Sequence, residues 1–384
     1  MNQPDFKPVY ILGAGASFKI GAPLVNNFLS KARVLRYSRG FPEELIQPFD
    51  NLFEYQGELY STRRILGVDF NNLETLFSIL DMDWQTSGAM DNGGPSVSGG
   101  IPWETKFERL EKTRRNFITL IIETLRRSIA PDLSSTYRQN VQFLGAPDNC
   151  SFITFNYDLA IERALSQDAG EKKYRKYVIN YGDAELPPEN SVTNRLLLKL
   201  HGSANWVYCD QCKFLAKFKG VHGQEFEYIT PFEVVSNRGV LHKSNLTPCK
   251  PESANNVIVP PTWYKTNYLK VITKVWSVAL NEIAQATHIF IIGYSFPKTD
   301  VFFEQLLSLG LRDSKNLKRI IIVNPGTDTQ ESLKQLFDRH FLANIIYIND
   351  YFENTRDYLQ TPIGTEAAMN GFIDNWAKAK GVRL

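Results

Sequence analysis

The sequence predicts an α/β fold: a doubly wound, mainly parallel sheet with a large helical insertion. Three observations carry that prediction. Short, continuous apolar runs recur and end in small or polar residues, helix-like segments lie between them, and about residues 25–148 hold helical patterns with no strand-like run. Runs apolar on both faces fit parallel strands covered by helices on either side. Strand–helix–strand alternation is the pattern of a doubly wound sheet.

The first run is "VYILGAGAS" (Val9–Ser17). In the helical stretch that follows, "NNLETLFSIL" (Asn71–Leu80) reads as an amphipathic helix. "ETKFERLEKTRRNFITLIIETLRRSI" places Phe107, Leu110, Phe117, Ile118, Ile121 and Leu125 at helical spacing. Between these helices, "SGAMDNGGPSVSGG" (Ser87–Gly100) is rich in Gly and Ser and is expected to be a mobile loop. The strand-like runs resume with "SFITFNYD" (Ser151–Asp158), "RLLLKLHGS" (Arg195–Ser203) and "NVIVPPT" (Asn256–Thr262). They end with "HIFIIGYS" (His288–Ser295), "RIIIVNPG" (Arg319–Gly326) and "NIIYIND" (Asn344–Asp350). Helical segments "YLKVITKVWSVALNEIAQA" and "DTQESLKQLFDRHF" precede His288 and Asn344. About residues 207–255 are irregular and polar and hold three of the four cysteines. The expected division is one α/β domain of residues 1–24 and 149–384, interrupted at about 207–255, with 25–148 as a helical insertion.

Bulk composition excludes several classes. With 43 basic and 41 acidic residues the net charge is +2, which gives no global nucleic-acid signature. The start lacks the basic region and apolar core of a signal peptide. No run reaches the roughly 20 apolar residues that span a bilayer. Four cysteines in 384 residues make no disulfide framework, so the expected setting is a reducing cytoplasm.

Ligands of doubly wound sheets bind beyond the carboxyl ends of the strands, where the polar clusters of this chain fall. In "ILGAGASFKIGAP", Gly13-Ala14-Gly15-Ala16-Ser17 would let the backbone approach a diphosphate closely. The usual dinucleotide fingerprint fails: residue 18 is Phe, and the first acidic residue after the motif is Glu43. An ordinary dehydrogenase is therefore disfavoured, and a plain tight turn stays open. In "TFNYD", Asn156 and Asp158 share one side of an extended segment and suit a ligand's amide and hydroxyl groups. The alternative is an Asx turn, with Asp158 capping the helix of "LAIERAL". In "LLLKLHGSANW", His201 ends an apolar run just before a residue with no side chain, as a group aimed at something would. The alternative is an imidazole satisfied by a neighbouring carbonyl. Gly293 and Ser295 in "FIIGYSFPKTD" and Asn324 in "IIIVNPGTD" close the series, although both stretches are also turn compositions.

Taken in order, GAGAS, NYD, HGS, GYS and the late Asn resemble the sirtuin (silent information regulator) family over nearly the whole chain. The resemblance implies a sirtuin-like Rossmann variant that binds NAD. It puts the diphosphate on Gly13, Ala14, Gly15, Ala16 and Ser17, with Pro23 following in the same loop. It gives nicotinamide and its ribose to Asn156 and Asp158, a catalytic base to His201, ribose and phosphate to Gly293 and Ser295, and the adenosine side to Asn324. Where deacylating sirtuins carry Pro-Asp-Phe-Arg, this chain has Pro23 and then Leu24. Their Phe-Gly-Glu segment is replaced by "VIVPPTWYK" (Val257–Lys265), whose adjacent prolines remove two backbone donors needed for peptide pairing. The longer Asn156–His201 spacing, "KLHGSANW", "PPTWYK" and "IFIIGYSFPKTD" are similar to sirtuin-like NAD hydrolases of bacterial anti-phage systems.

That resemblance implies Asn156 and His201 as catalytic residues of an NAD glycohydrolase with NAD as substrate. It also implies a homo-oligomer and control by assembly or by a separate subunit, such as a HerA-like ATPase or an Argonaute-type protein. A protein deacylase and a non-catalytic nucleotide sensor stay as alternatives. Cys209 and Cys212 keep CxxC spacing where deacylases begin a zinc module, but only Cys249 remains to join them. His222 or His242 could complete a site on paper. The expectation is a degenerate module without zinc. The basic cluster Arg109, Lys112, Arg114, Arg115, Arg126 and Arg127 is interleaved with Glu104, Glu108 and Glu111. That mixture favours a solvated helix face and leaves direct nucleic-acid binding open.

Overall fold

The computed structural model describes residues 6–90, 103–147, 149–166, 195–209, 215–217, 228–231, 254–259, 266–296, 301–312, 314–326, 337, 339–342 and 344–381. The main sheet is made of β1 (Pro8–Leu12), β2 (Ser151–Thr154), β3 (Leu196–Lys199), β7 (His288–Ile292), β8 (Arg319–Val323) and β9 (Ile345–Ile348). Its order is β3-β2-β1-β7-β8-β9, and each neighbouring pair runs parallel. β1 is central and buried at every residue, pairing Val9 with Ser151 on one side and Ile289 on the other. The continuous apolar runs are thus explained: strands covered on both faces gain about 1.5–3 kcal/mol from each large side chain taken out of water.

Among the described residues, five α-helices lie between β1 and β2: α1 (Phe28–Arg36), α2 (Glu43–Leu66), α3 (Leu73–Met90), α4 (Trp103–Ser128) and α5 (Ser135–Leu144). The inward stripe of α4 is buried as its spacing requires, and Phe117 packs on Phe77 of α3 with ring centroids 4.7 Å apart. The later helices are α6 (Ala160–Ser166), α7 (Thr266–Gln285), α8 (Val301–Arg312), α9 (Arg339–Leu342) and α10 (Glu366–Lys380). No described helix is long and apolar enough to cross a membrane.

Two expectations change. "NVIVPPT" does not join the main sheet: β6 (Ala254–Ile258) pairs antiparallel with β4 (Gly202–Cys209), which also pairs with β5 (Leu215–Lys217). A continuous apolar run reports burial, and burial is the same in either sheet. The chain changes sheets at Gly202, whose φ of +81° and closeness to the Val257 carbonyl (1.9 Å from an added Cβ) exclude any side chain. "SGAM" (Ser87–Met90) is the last turn of α3 rather than loop; Gly88 is there because an added Cβ would meet the Phe107 ring at 2.7 Å. Residues 91–100 lie outside the described residues, as does most of "DTQESLKQLFDRHF" and much of 207–255, whose described ends form the small sheet.

His288, at the start of β7, is buried against Phe6, and loss of hydration pushes its imidazole down to about 4 despite Glu366 3.8 Å away. An unfolded histidine titrates at about 6.5, so the unfolded chain binds this proton first. The group's contribution to stability is therefore complete above about pH 6.5 and drains away as the pH falls toward 4. Thermal unfolding of the parent and of His288→Gln should diverge: the parent loses more stability between pH 7.5 and 4.5, and the variant's dependence is flatter.

Candidate functional site

The carboxyl ends of β1, β2, β3, β7 and β8 converge on one cavity of about 530 Å³, within the usual range of small-molecule sites. It lies where the chain changes direction across the sheet, with β2 and β3 to one side of β1 and β7 to the other. Gly13, Ala14, Gly15, Pro23, Asn156, Asp158, His201, Gly293, Ser295 and Asn324 all line it, although they come from five separate parts of the chain. Ala16 and Ser17, also expected at this site, are buried beneath the loop and do not line the cavity.

Glycine spacing here serves a backbone-to-backbone contact. Gly13 donates its amide to the Ile292 carbonyl (2.9 Å) and Gly15 to the Gly293 carbonyl (2.8 Å). Gly293 has φ +62°, and a Cβ added to it would stand 2.1 Å from the Ala16 nitrogen. Added at Gly13 or Gly15, a Cβ would lie 2.6 or 2.7 Å from the Gly293 oxygen. The amides of Gly13, Gly15 and Ala16 are thus committed to shaping the loop, Ala16 bonding back to the Gly13 carbonyl (3.0 Å). Ala14 lines the cavity, and its amide has no protein acceptor among the described residues.

Side-chain amides stitch the rest of the rim. Asn156 Nδ2 donates to the Gly13 carbonyl (3.0 Å), which fixes the amide plane and leaves Oδ1 as its acceptor for a ligand. Asn324 Nδ2 donates to the Tyr294 carbonyl and its Oδ1 accepts from Gly326, both at 2.9 Å, so its two polar ends are taken up within the protein. Asp158 combines the two readings of its motif. One oxygen accepts from the Ala160 amide (2.9 Å) at the start of α6, the Asx turn, while the residue also lines the cavity. His201 is 4% exposed, with its ring edge-on to Phe155 at 5.0 Å.

The helical layer closes the opposite wall with Val25, Phe28, Leu73, Phe77 and Leu125. Sequence reading missed this apolar wall, along with Glu74 and Tyr294, because helical periodicity identifies an inward face but not what it covers. Among the described residues no lysine or arginine lines the cavity; its ionisable groups include Glu74, Asp158 and His201. Behind Asp158, Lys199 and Glu162 form an ion pair of 2.8 Å with each side chain 1% exposed. Burial pushes the Glu162 carboxyl up, and the Lys199 charge opposes that shift. A lysine inside "LLLKLH" was the one visible signal of this pair.

Two expectations about ligands fall differently. The side chains of Cys209, Cys212, Cys249, His222 and His242 lie outside the described residues; among those described, no cluster of three His, Cys, Asp or Glu could hold a metal. The arginines of α4 are paired: Arg109 with Glu58, Arg114 with Asp81 (3.1 Å), Arg115 with Glu111 (2.9 Å), and Arg126 and Arg127 with Glu123.

A parallel sheet of this order, with a glycine turn after its central strand and a crevice at the reversal point, defines a nucleotide-binding α/β protein. Residues 150–345, just over half of the chain, match the family model of the SIR2-like domain, and the chain belongs to that family. SIR2-like domains bind NAD. The match begins at β2, so the glycine loop of β1 lies outside it and joins the site through Gly293. No curated protein matches the chain.

Gly293→Ala should break the contact on which the loop depends. Strain at a left-handed position costs about 1–3 kcal/mol, and the Ala16 backbone must also move. Calorimetric unfolding should show a lower Tm, and titration with ADP-ribose should show at least a tenfold weaker Kd.

Proposed function

We propose that the chain is an NAD glycohydrolase that cleaves the bond between nicotinamide and ribose, releasing nicotinamide and ADP-ribose. The observation that carries this reading is the meeting of Asn156 and His201, 45 positions apart, in one cavity beside the glycine loop. The leaving group is cationic in the substrate and departs neutral, so departure needs little acid catalysis. The site must orient the ribose, stabilise its developing positive charge and activate water.

The cavity fits such a substrate. Its rim offers main-chain groups at Ala14 and Ser295 for the diphosphate and sugars, Gly293 shapes the loop between them, and Asn324 shapes the adenosine end through its bond to Tyr294. Carboxylates at Asp158 and Glu74, without lysine or arginine among the described lining, suit a positively charged pyridinium ring. Asp158 holds the carboxamide of nicotinamide. Asn156 Oδ1 accepts a hydrogen bond from the attacking water or a ribose hydroxyl, and His201 takes the proton released by that water. The C1′–N bond breaks with its electron pair going to the pyridine nitrogen, and the water oxygen bonds to C1′. The balance is one NAD and one water giving nicotinamide, ADP-ribose and a proton. Resemblance to the anti-phage branch supports an NAD-depleting effector in the cytoplasm, held inactive until self-assembly or a separate sensor subunit releases it. Candidate sensors are a HerA-like ATPase or an Argonaute-type protein.

Chromatography of products from NAD, with and without an acetylated peptide, tests the reading. Nicotinamide and ADP-ribose without peptide are expected. Acetylated ADP-ribose formed only with peptide would make the chain a deacylase, and NAD left intact under every assembly condition would make it a sensor. Asn156→Ala and His201→Ala should each lower turnover by roughly 10²-fold or more; parental rates in the His201 variant would remove the proposed base.

A further inference from the structure

The buried pair of Lys199 and Glu162 lies outside the chemistry just described, yet it touches the loop that carries it. Lys199 ends β3 two residues before His201, and its ammonium donates both to Glu162 Oε1 (2.8 Å) and to the main-chain carbonyl of Asp158. After the ladder bond from the Leu200 amide to the Thr154 carbonyl (2.9 Å), the next tie to that loop falls just beyond the histidine, where the Ala204 amide donates to the Tyr157 carbonyl (2.9 Å). Two consecutive carbonyls of the 156–158 loop are thus gripped by two points that flank His201, one a side chain and one a main-chain amide. Glu162, one turn into the chain from Asp158 and on α6, holds the ammonium in place from below.

An ion pair this deeply buried is a costly way to gain stability, since well-packed apolar side chains often serve as well or better. What apolar side chains cannot do is donate a hydrogen bond to a loop carbonyl. We infer that Lys199 and Glu162 are positioning residues, which lock the Asn156–Asp158 loop onto the end of β3, two residues before His201, and so set the spacing of the two groups that act on the ribose. The inference rests on the NAD-cleavage reading. Among the described residues the pair makes no hydrogen bond to the glycine loop or to Asn324; its link to the diphosphate end runs through Asn156, which bonds the Gly13 carbonyl, so that end depends on it less.

This separation gives the test. Lys199→Met/Glu162→Leu replaces both charges with apolar groups and leaves the Asp158 carbonyl unheld. Lys199→Gln/Glu162→Gln is made beside it; it keeps a neutral hydrogen-bonding pair too short to reach that carbonyl. Each variant is measured for Tm, ADP-ribose Kd, kcat on NAD and inhibition by nicotinamide. The expected result is a Tm near the parent, ADP-ribose affinity within about twofold, kcat at least tenfold lower and weaker nicotinamide inhibition. A folded variant with parental kcat would overturn the positioning role, as would equal losses in ADP-ribose binding and kcat. Failure of both variants to fold would reduce the pair to a structural element and overturn it too. A parent that leaves NAD intact would instead remove the glycohydrolase reading, and this inference with it.

Discussion

Close approach of two backbones, at the ends of β1 and β7, is the constraint on which the site depends. Gly293 admits no Cβ because the Gly15–Ala16 peptide occupies that space, and Gly13 and Gly15 admit none because the Gly293 carbonyl occupies theirs. Once those strands are in register the loop has one place to go. Two rim side chains are hung beside it by hydrogen bonds: Asn156 from the Gly13 carbonyl, and Asn324 from the Tyr294 carbonyl just after Gly293. The site is therefore less a set of side chains placed on a scaffold than a seam in the sheet, whose stitches include the residues that face the ligand.

Much of this was legible before any coordinates. Parallel strands covered on both faces must be apolar throughout, so the runs stood out, and their polar ends marked the rim. What was misread shares one cause: sequence reports burial and turn chemistry, but not the partner. "NVIV" was buried as expected, yet in the smaller antiparallel sheet. Gly88 read as loop because glycine is a poor helix former, while a close approach of α3 and α4, through Phe107, makes it the residue that fits. Ala16 and Ser17 followed the motif into the loop but turned away from the cavity.

The helices between β1 and β2 have a second consequence. Phe28, Leu73, Phe77 and Leu125 come from α1, α3 and α4, so one side of the cavity belongs to a layer that no strand-end motif announces. Their packing against one another, as between Phe77 and Phe117, is local to that layer. The layer also meets the loop after β1 directly, where Lys31 donates to the Gly21 carbonyl and the Leu73 amide to the Val25 carbonyl. A ligand lying between the two bridges them, which couples its binding to the fit of the helical layer on the sheet.

β1 is made well before either of its neighbours. Its two neighbours, β2 and β7, follow it by some 140 and 280 positions, as the bond from the Lys7 amide to Thr287 illustrates. At roughly 5–20 residues per second, a ribosome needs on the order of tens of seconds to supply the strand that closes the crevice. During that interval the amino-terminal strand has one edge without its partner, and the nascent polypeptide cannot yet assemble the crevice. Topology alone thus delays assembly of the crevice until β7 and β8 have been synthesised.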